Sequence, residues 1–234
     1  MADPQNPKKS AGVFFADAAE GPTEAEAENY ARARQEAVST WAERHPGAQA
    51  ARCGARVLEG GQGWALLGLT FLGRDIRVTW PDGQVSDAAT GAELPLWEQV
   101  IVLHYLSGTG EVPVGGEWIA YAQVPGAAFY APAFQQRTNV PLAQAFGDDP
   151  SRLHAAGRPL GAETYELGDA ALIVPVLPKL PMAVVVHGGD EEFPADAKLL
   201  YDVTVSDYLD LEDIAVLGGL LVGQLIRADP GGEP

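Results

Sequence analysis

The run His187-Gly-Gly-Asp-Glu-Glu-Phe-Pro194 sets three successive carboxylates directly after an apolar stretch, Met182-Ala-Val-Val-Val-His187. The stretch reads as a buried strand. Gly188 and Gly189 then let the chain turn, so Asp190, Glu191 and Glu192 fall at a strand mouth, where α/β proteins commonly place ligands. Three kinds of chemistry are open to them. Two carboxylates whose surroundings separate their pKa values make a general acid and base. Grouped oxygens hold a hard cation, although the spacing lacks the regular oxygen pattern of a calcium loop. As a plain turn, the acids cap the next segment and discourage edge-to-edge strand pairing, and this is the reading the residue types favour. Arg74, Asp75 and His187 complete the candidate polar cluster. Asp190 and Glu192 alternate along an extended turn, so one is expected to project inward and the other to solvent. An inward carboxylate needs a partner, for which Arg74, Arg77, Arg137 and Tyr121 are available.

A second candidate is aromatic. Trp118, Tyr121, Phe129, Tyr130 and Phe134, with Arg137 nearby, could line an apolar pocket with a polar rim, or form a small core under an irregular segment. Other chemistry finds little footing. The four histidines, His45, His104, His154 and His187, are isolated, with no HxH, HExxH or CxxC spacing, so no metal site is expected. His104 lies in the most apolar helical stretch and reads as a satisfied core histidine. There is no G-x-S-x-G elbow. Gly108-Thr-Gly110 follows a helix rather than opening one, and Gly60-Gly61-Gln-Gly63 reads as a hairpin loop, so no phosphate cradle and no cofactor is expected. Cys53 is the one cysteine and cannot form an internal disulfide. Its single adjacent arginine is weak evidence for a reactive thiol.

These groups must be carried on a scaffold. The 234 residues are 47% hydrophobic and 20% charged, the composition of a globular domain able to bury a core without staples. The formal charge of −17 repels phosphate backbones and anionic lipid, which argues against nucleic-acid and membrane partners. The longest apolar segment, Ile214 to Ile226, is too short to span a bilayer. No signal peptide is apparent, so a soluble, cytoplasmic protein is expected.

Residues 1–21 read as a polar tail, 22–227 as one α+β domain, and 228–234 as a second tail. Thr23 and Glu26 suggest a capping box, and apolar residues at helical spacing run from Tyr30 to Trp41 until His45-Pro46-Gly47 stops them. Strands are expected at Arg52–Leu58, Trp64–Leu72 and Asp75–Trp80 as an antiparallel meander. Leu96–Leu106, apolar nearly all round, reads as a central buried helix. Glu117–Gln123 reads as a strand. Short helical turns follow at Phe129–Arg137, Leu142–Phe146 and Ser151–Ala155. Then come strands Ala170–Leu177 and Met182–His187, with Leu199–Val203 beside them. Asp210 is placed to cap a last helix through Arg227, with Gly219 and Gly223 leaving a notch on it. The expected fold is an antiparallel-rich mixed sheet packed by three main helices.

The order of motifs carries a resemblance. Phe71-Leu-Gly-Arg-Asp-Ile76, Trp97-Glu-Gln-Val-Ile-Val-Leu-His-Tyr-Leu106, Trp118-Ile119, Tyr130…Phe134-Gln-Gln-Arg137, Pro178…Pro181 and Gly189-Asp-Glu-Glu-Phe-Pro194 together resemble the uncharacterised family called domain of unknown function 3786, from about Ala25 to Leu225. That resemblance implies a setting in anaerobic bacteria and archaea, where some members are similar to fusions with a four-cysteine iron–sulfur domain. One cysteine cannot hold such a cluster, so any redox role belongs to a partner. The resemblance implies no activity. Two functions stay open: an accessory or binding module working with a separate iron–sulfur or corrinoid protein, or an enzyme using Asp190, Glu191 or Glu192 with Arg74 or His187.

Overall fold

A turn of two residues seats one half of the molecule on the other. In the computed structural model, which describes residues 24–231, the chain forms α1 (Glu24–Ala42), α2 (Pro46–Cys53), β1 (Arg56–Gly61), β2 (Trp64–Phe71), β3 (Arg74–Trp80), β4 (Val85–Asp87) and α3 (Leu96–Ser107). There follow β5 (Trp118–Ala120), α4 (Ala131–Arg137), α5 (Asn139–Phe146), α6 (Arg152–Gly157), β6 (Glu163–Thr164), β7 (Ala170–Leu177), β8 (Leu180–His187), β9 (Asp196–Asp202), α7 (Val205–Tyr208) and α8 (Leu211–Arg227). The fold is α+β, as its sequence pattern indicates. Its strands divide into two sheets, ordered β1-β2-β3-β4 and β5-β9-β8-β7-β6, in which every pairing is antiparallel.

Leu72 and Gly73 join β2 to β3, and Phe71 faces Arg74 across the turn. Both turn residues have positive φ, +48° and +75°, the pattern of a type I′ hairpin. Leucine resists this region of backbone space at a cost of about 1–2 kcal/mol. Burial of the Leu72 side chain offsets the cost, and its N–H donates to the Val176 carbonyl of β7 at 3.0 Å. The turn therefore docks the first sheet on the second.

Helix α3 is buried on almost every side, and α1 packs along it. Arg34 donates to Gln99 Oε1 at 2.6 Å, and the Trp41 indole donates to the Thr79 carbonyl at 2.9 Å. Arg52 satisfies the far end of α3. Its guanidinium donates to the carbonyls of Tyr105 and Leu106 at 2.9 and 3.2 Å, groups that a helix end leaves without partners, and to the Gly110 carbonyl just beyond the helix at 2.6 Å. The Tyr105 hydroxyl donates to the Cys53 carbonyl at 2.6 Å and accepts the Lys179 N–H at 3.1 Å, tying α2 to the β7–β8 turn.

Helix α8 starts where the sequence places it: Asp210 accepts the Asp213 N–H at 3.0 Å. Ile214, Leu217, Leu221 and Leu225 form its buried stripe, each side chain contributing about 1.5–3 kcal/mol of transfer free energy. Strands β7 and β8 read as unbroken apolar runs because both faces are covered. Val174, Leu172, Met182 and Val184 enter the main core. On the other face Ala171, Ala183 and Val185 are also buried, because the sheet curls. Its opposite edges come together at Trp118 of β5 and Tyr165 just after β6, whose ring centroids are 6.4 Å apart.

Some expected boundaries move. Arg52 and Cys53 end a helix rather than open a strand, because His45-Pro46 stops α1 and also starts α2: the His45 ring accepts the Ala48 N–H at 3.2 Å and proline takes the first turn. Glu117–Gln123 is extended only through Ala120, after which Tyr121–Gln123 is a single 3-10 turn. Asp229, in the expected second tail, accepts Arg152 at 2.8 Å. The expected first tail and the capping-box side chains of Thr23 and Glu26 lie outside the described residues.

A methyl group at Gly73 would lie 2.3 Å from the Pro159 carbonyl oxygen and 2.6 Å from Leu160 Cα. Gly63 has φ +81° with nothing near it. Gly73→Ala is expected to cost about 3 kcal/mol or more and Gly63→Ala about 1 kcal/mol, read from urea unfolding midpoints. Equal losses at the two positions would show that the turn does not dock the sheets.

Candidate functional site

The acidic turn organises itself. Asp190, Glu191 and Glu192 are all exposed, so the inward–outward division expected for Asp190 and Glu192 does not occur. The Asp190 carboxylate accepts the N–H groups of Phe193 at 2.7 Å and Glu192 at 2.8 Å. These two amides hold its pKa below the usual carboxylate value. Such a side-chain-to-backbone turn is what aspartate does in loops. Arg74 and Asp75 are held on β3, in the other sheet. Arg74 donates to buried Glu98 of α3 at 2.5 Å and lies 5.9 Å from the Phe71 ring centre, while Asp75 accepts the Thr70 hydroxyl at 3.0 Å. The expected cluster therefore divides between two sheets. His187 stays at the mouth of β8, half-buried and in register with Asp196.

The aromatic group also divides. Tyr121 stacks on Phe134 with centroids 4.1 Å apart and meets Tyr130 edge-on at 6.3 Å. Tyr201 joins them at 6.4 Å from Tyr121 and 6.2 Å from Phe134. Burial raises the Tyr121 hydroxyl to about 12, and Arg137 donates to the Tyr130 hydroxyl at 2.7 Å. This is a packed core against α8. The Tyr201 hydroxyl reaches the Ile214 carbonyl at 2.9 Å, an approach that bare Gly218 permits: a methyl there would sit 2.3 Å from that hydroxyl. The close glycine of α8 is thus Gly218, one position before the expected notch. Trp118 turns away from this core to Tyr165.

Between α6 and the loop leading into β7 lies an open groove of about 600 Å³. Its lining includes His154, Thr164, Tyr165, Glu166, Leu167 and Asp169. Two residues singled out in the sequence border it. Trp118 backs Tyr165, and His187 lies beside Gly168, where a methyl would be 3.2 Å from its Cε1. Asp169 accepts the Gly188 N–H at 2.8 Å, which fastens the groove loop to the start of the acidic turn. The His154 Nδ1 is buried without a hydrogen-bond partner. The walls offer carboxylates, a phenol, an imidazole and apolar surface, a set suited to recognising a donor-rich or cationic group. The groove was not legible in the sequence, since His154 is twelve residues from Glu166 and only the packing of α6 on β7 brings them together. Among the described residues, no three His, Cys, Asp or Glu side chains converge as metal ligands.

A family model described as domain of unknown function (DUF3786) matches residues 45–224. The chain belongs to this family. No curated protein and no solved structure matches it. In this DUF3786 chain the matched segment runs from the start of α2 almost to the end of α8, so it carries both sheets, the groove and the acidic turn. Helix α1 lies before it.

One ionisable pair stands apart from the groove. His104 Nδ1 lies 2.7 Å from the buried Asp213 Oδ2, bridging α3 and α8; the histidine has its partner but is half-buried rather than in the core. Burial raises Asp213 to about 6, against the pull of His104. Burial alone would lower His104, but the hydrogen bond and charge of Asp213 outweigh it and raise its pKa. Cys53 is buried, and desolvation lifts its thiol to about 11, so it is inert rather than nucleophilic.

Two measurements test these assignments. Gly218→Ala is expected to destabilise by about 1–3 kcal/mol, and Tyr201→Phe by about 1 kcal/mol. The double variant should lose less than the sum, because removing the hydroxyl makes room for the methyl; strict additivity would contradict the contact. For the pair, both folded pKa values lie above their ordinary values of 3.8 and 6.5, so the folded chain binds protons more tightly. The pair's contribution is therefore greatest in mild acid. It is lost as pH rises, first from the ordinary Asp range through about 6, then through the raised pKa of His104. The stability of wild type relative to His104→Gln/Asp213→Asn should fall as pH rises from about 4 through about 6 and on through the raised pKa of His104, and a flat or rising difference would refute it.

Proposed function

We propose that this DUF3786 chain is a non-catalytic, cytoplasmic binding or accessory module that works with a separate iron–sulfur or corrinoid protein of anaerobic metabolism. The observation that carries this reading is the groove beside Tyr165, Glu166 and Asp169: a recognition surface of ligand size whose carboxylates are not arranged around a nucleophile. Cys53 supports it too. It is the one cysteine of the chain, buried and hydrogen-bonded to the Tyr105 carbonyl at 3.2 Å, so it offers no thiolate to a cluster and the redox group falls to the partner. The net charge of −17 directs the module away from nucleic acid. The alternative, an enzyme built on Asp190, Glu191 and Glu192, has less to stand on, because all three are exposed and Asp190 is engaged by its own turn.

The test is affinity capture from a lysate of the native host, kept anaerobic throughout. Tagged full-length chain should enrich a protein carrying iron–sulfur or corrinoid, identified by mass spectrometry and by iron or cobalt content. The groove variant Glu166→Lys/Leu167→Lys, whose positions are exposed, should lose it. Equal capture by the variant would move the interaction elsewhere, and capture without a metalloprotein would overturn the proposal.

A further inference from the structure

The hairpin β1–β2 carries a surface that the fold itself does not use. All six residues of β1 are exposed, and β1 is an outer strand of its sheet, so one side of its backbone has no ladder partner in that sheet. Val57, Leu58 and Trp64 are 49%, 44% and 47% exposed, three of the eight large apolar side chains that stand exposed among the described residues. Leu58 lies across Gly68 and Trp64 across Gly61, where added methyl groups would fall 2.9 and 2.5 Å from their side-chain atoms. By strand alternation Trp64 shares its face with Leu66 and Gly68, while Ala65, Leu67, Leu69 and Phe71 fill the core face. The result is an apolar strip of Leu58 and Trp64 beside an open strand edge, turned away from the core, with Val57 exposed at the same edge on the opposite face, where it pairs with Leu67.

Soluble proteins blunt such edges with lysine, proline, inward charges or bulges. Strand β1 has neither lysine nor proline; it carries a bulge between Val57 and Glu59 and the charges of Arg56 and Glu59, which interrupt a ladder without covering Leu58. We propose that a second copy of this chain covers the edge, its β1 running antiparallel to the first about a two-fold axis. The charges of the strand select this occupant. Arg56 stands on one side of Val57-Leu58 and Glu59 on the other. Reversing an identical strand brings each Arg56 towards Glu59 of the copy, with the apolar residues meeting between them. A parallel copy would set arginine beside arginine, and a uniformly acidic or basic strand would match one end and oppose the other. The contact is self-complementary, as a two-fold interface requires. It joins two four-stranded sheets into one of eight strands. A short edge with one tryptophan per side belongs with small interfaces of under about 1,200 Å², which are weak, so the dimer depends on concentration.

Sedimentation equilibrium at low salt over a hundredfold range of concentration tests this. Wild-type chain is expected to pass from monomer to dimer mass. Arg56→Glu alone and Glu59→Arg alone should each weaken the dimer by about tenfold or more, since like charges then face each other. Arg56→Glu/Glu59→Arg should restore it. An equimolar mixture of the two single variants should also restore it, as a heterodimer. Leu58→Lys should leave a monomer with an unchanged circular dichroism spectrum. A monomer at every wild-type concentration would overturn the proposal. So would a dimer indifferent to Leu58→Lys, or a mixture that stays monomeric when each single variant is folded.

Discussion

The strained turn at Leu72 and Gly73 is the constraint on which the two-sheet arrangement rests. A two-residue hairpin turn normally points into solvent and uses glycine or asparagine to adopt positive φ. Here the turn points inward. Leu72 accepts a left-handed backbone because its side chain fills the core and its amide completes the Val176 carbonyl, and Gly73 is required because the Pro159 carbonyl occupies the place of a side chain. Once the turn is seated, β2 lies against β7. The remaining shared groups then fall into place around it: Arg52 on the end of α3, and the Tyr105 hydroxyl between Cys53 and Lys179. The chain gains one core from two sheets that never hydrogen-bond as strands.

Several aspartates of this protein serve chain geometry. Asp87 accepts the amides of Ala89 and Thr90, Asp190 those of Glu192 and Phe193, and Asp210 that of Asp213. Asp202 goes furthest. Burial would raise its pKa, but the Thr204 hydroxyl and the amides of Gly115, Thr204 and Gly116 outweigh that and hold it below the usual value. Its carboxylate thereby pins the loop before β5 to the end of β9. An ionised carboxylate that accepts several N–H groups makes stronger hydrogen bonds than a neutral acceptor. A loop-rich chain with many aspartates can therefore order its turns without disulfides or metals. Of the three acids that suggested chemistry, Asp190 is accounted for in this way.

The legible parts of the fold were those fixed by local rules. The β2–β3 hairpin showed in alternation and glycine, the β7–β8 pair in unbroken apolar runs, and α8 in its cap and stripe. Helix α2 was hidden because His45-Pro46-Gly47 looks like a stop, and histidine is an uncommon cap. The separation into two sheets, the seating of Leu72 and the division of Arg74 from His187 were hidden for a different reason. Each depends on which strands pair at long range, and the residue types of a strand do not name its partner. The aromatic cluster was visible as a group, yet only the curl of the second sheet decided that Trp118 would leave it for Tyr165.

What remains after this accounting is a small set of polar groups that the scaffold does not use. Glu166 is exposed on the wall of the groove, and His154 keeps its Nδ1 buried with no partner. A buried polar atom left unsatisfied costs about 1–3 kcal/mol. Asp169 shows the contrast within the same loop, since its carboxylate is engaged by the Gly188 amide. His154 is one of five side chains with such an unsatisfied atom among the described residues, with Arg44, Arg74, Trp80 and Ser107, and it is the one that lines the groove, which supports the groove as the surface on which the proposed recognition is to be tested.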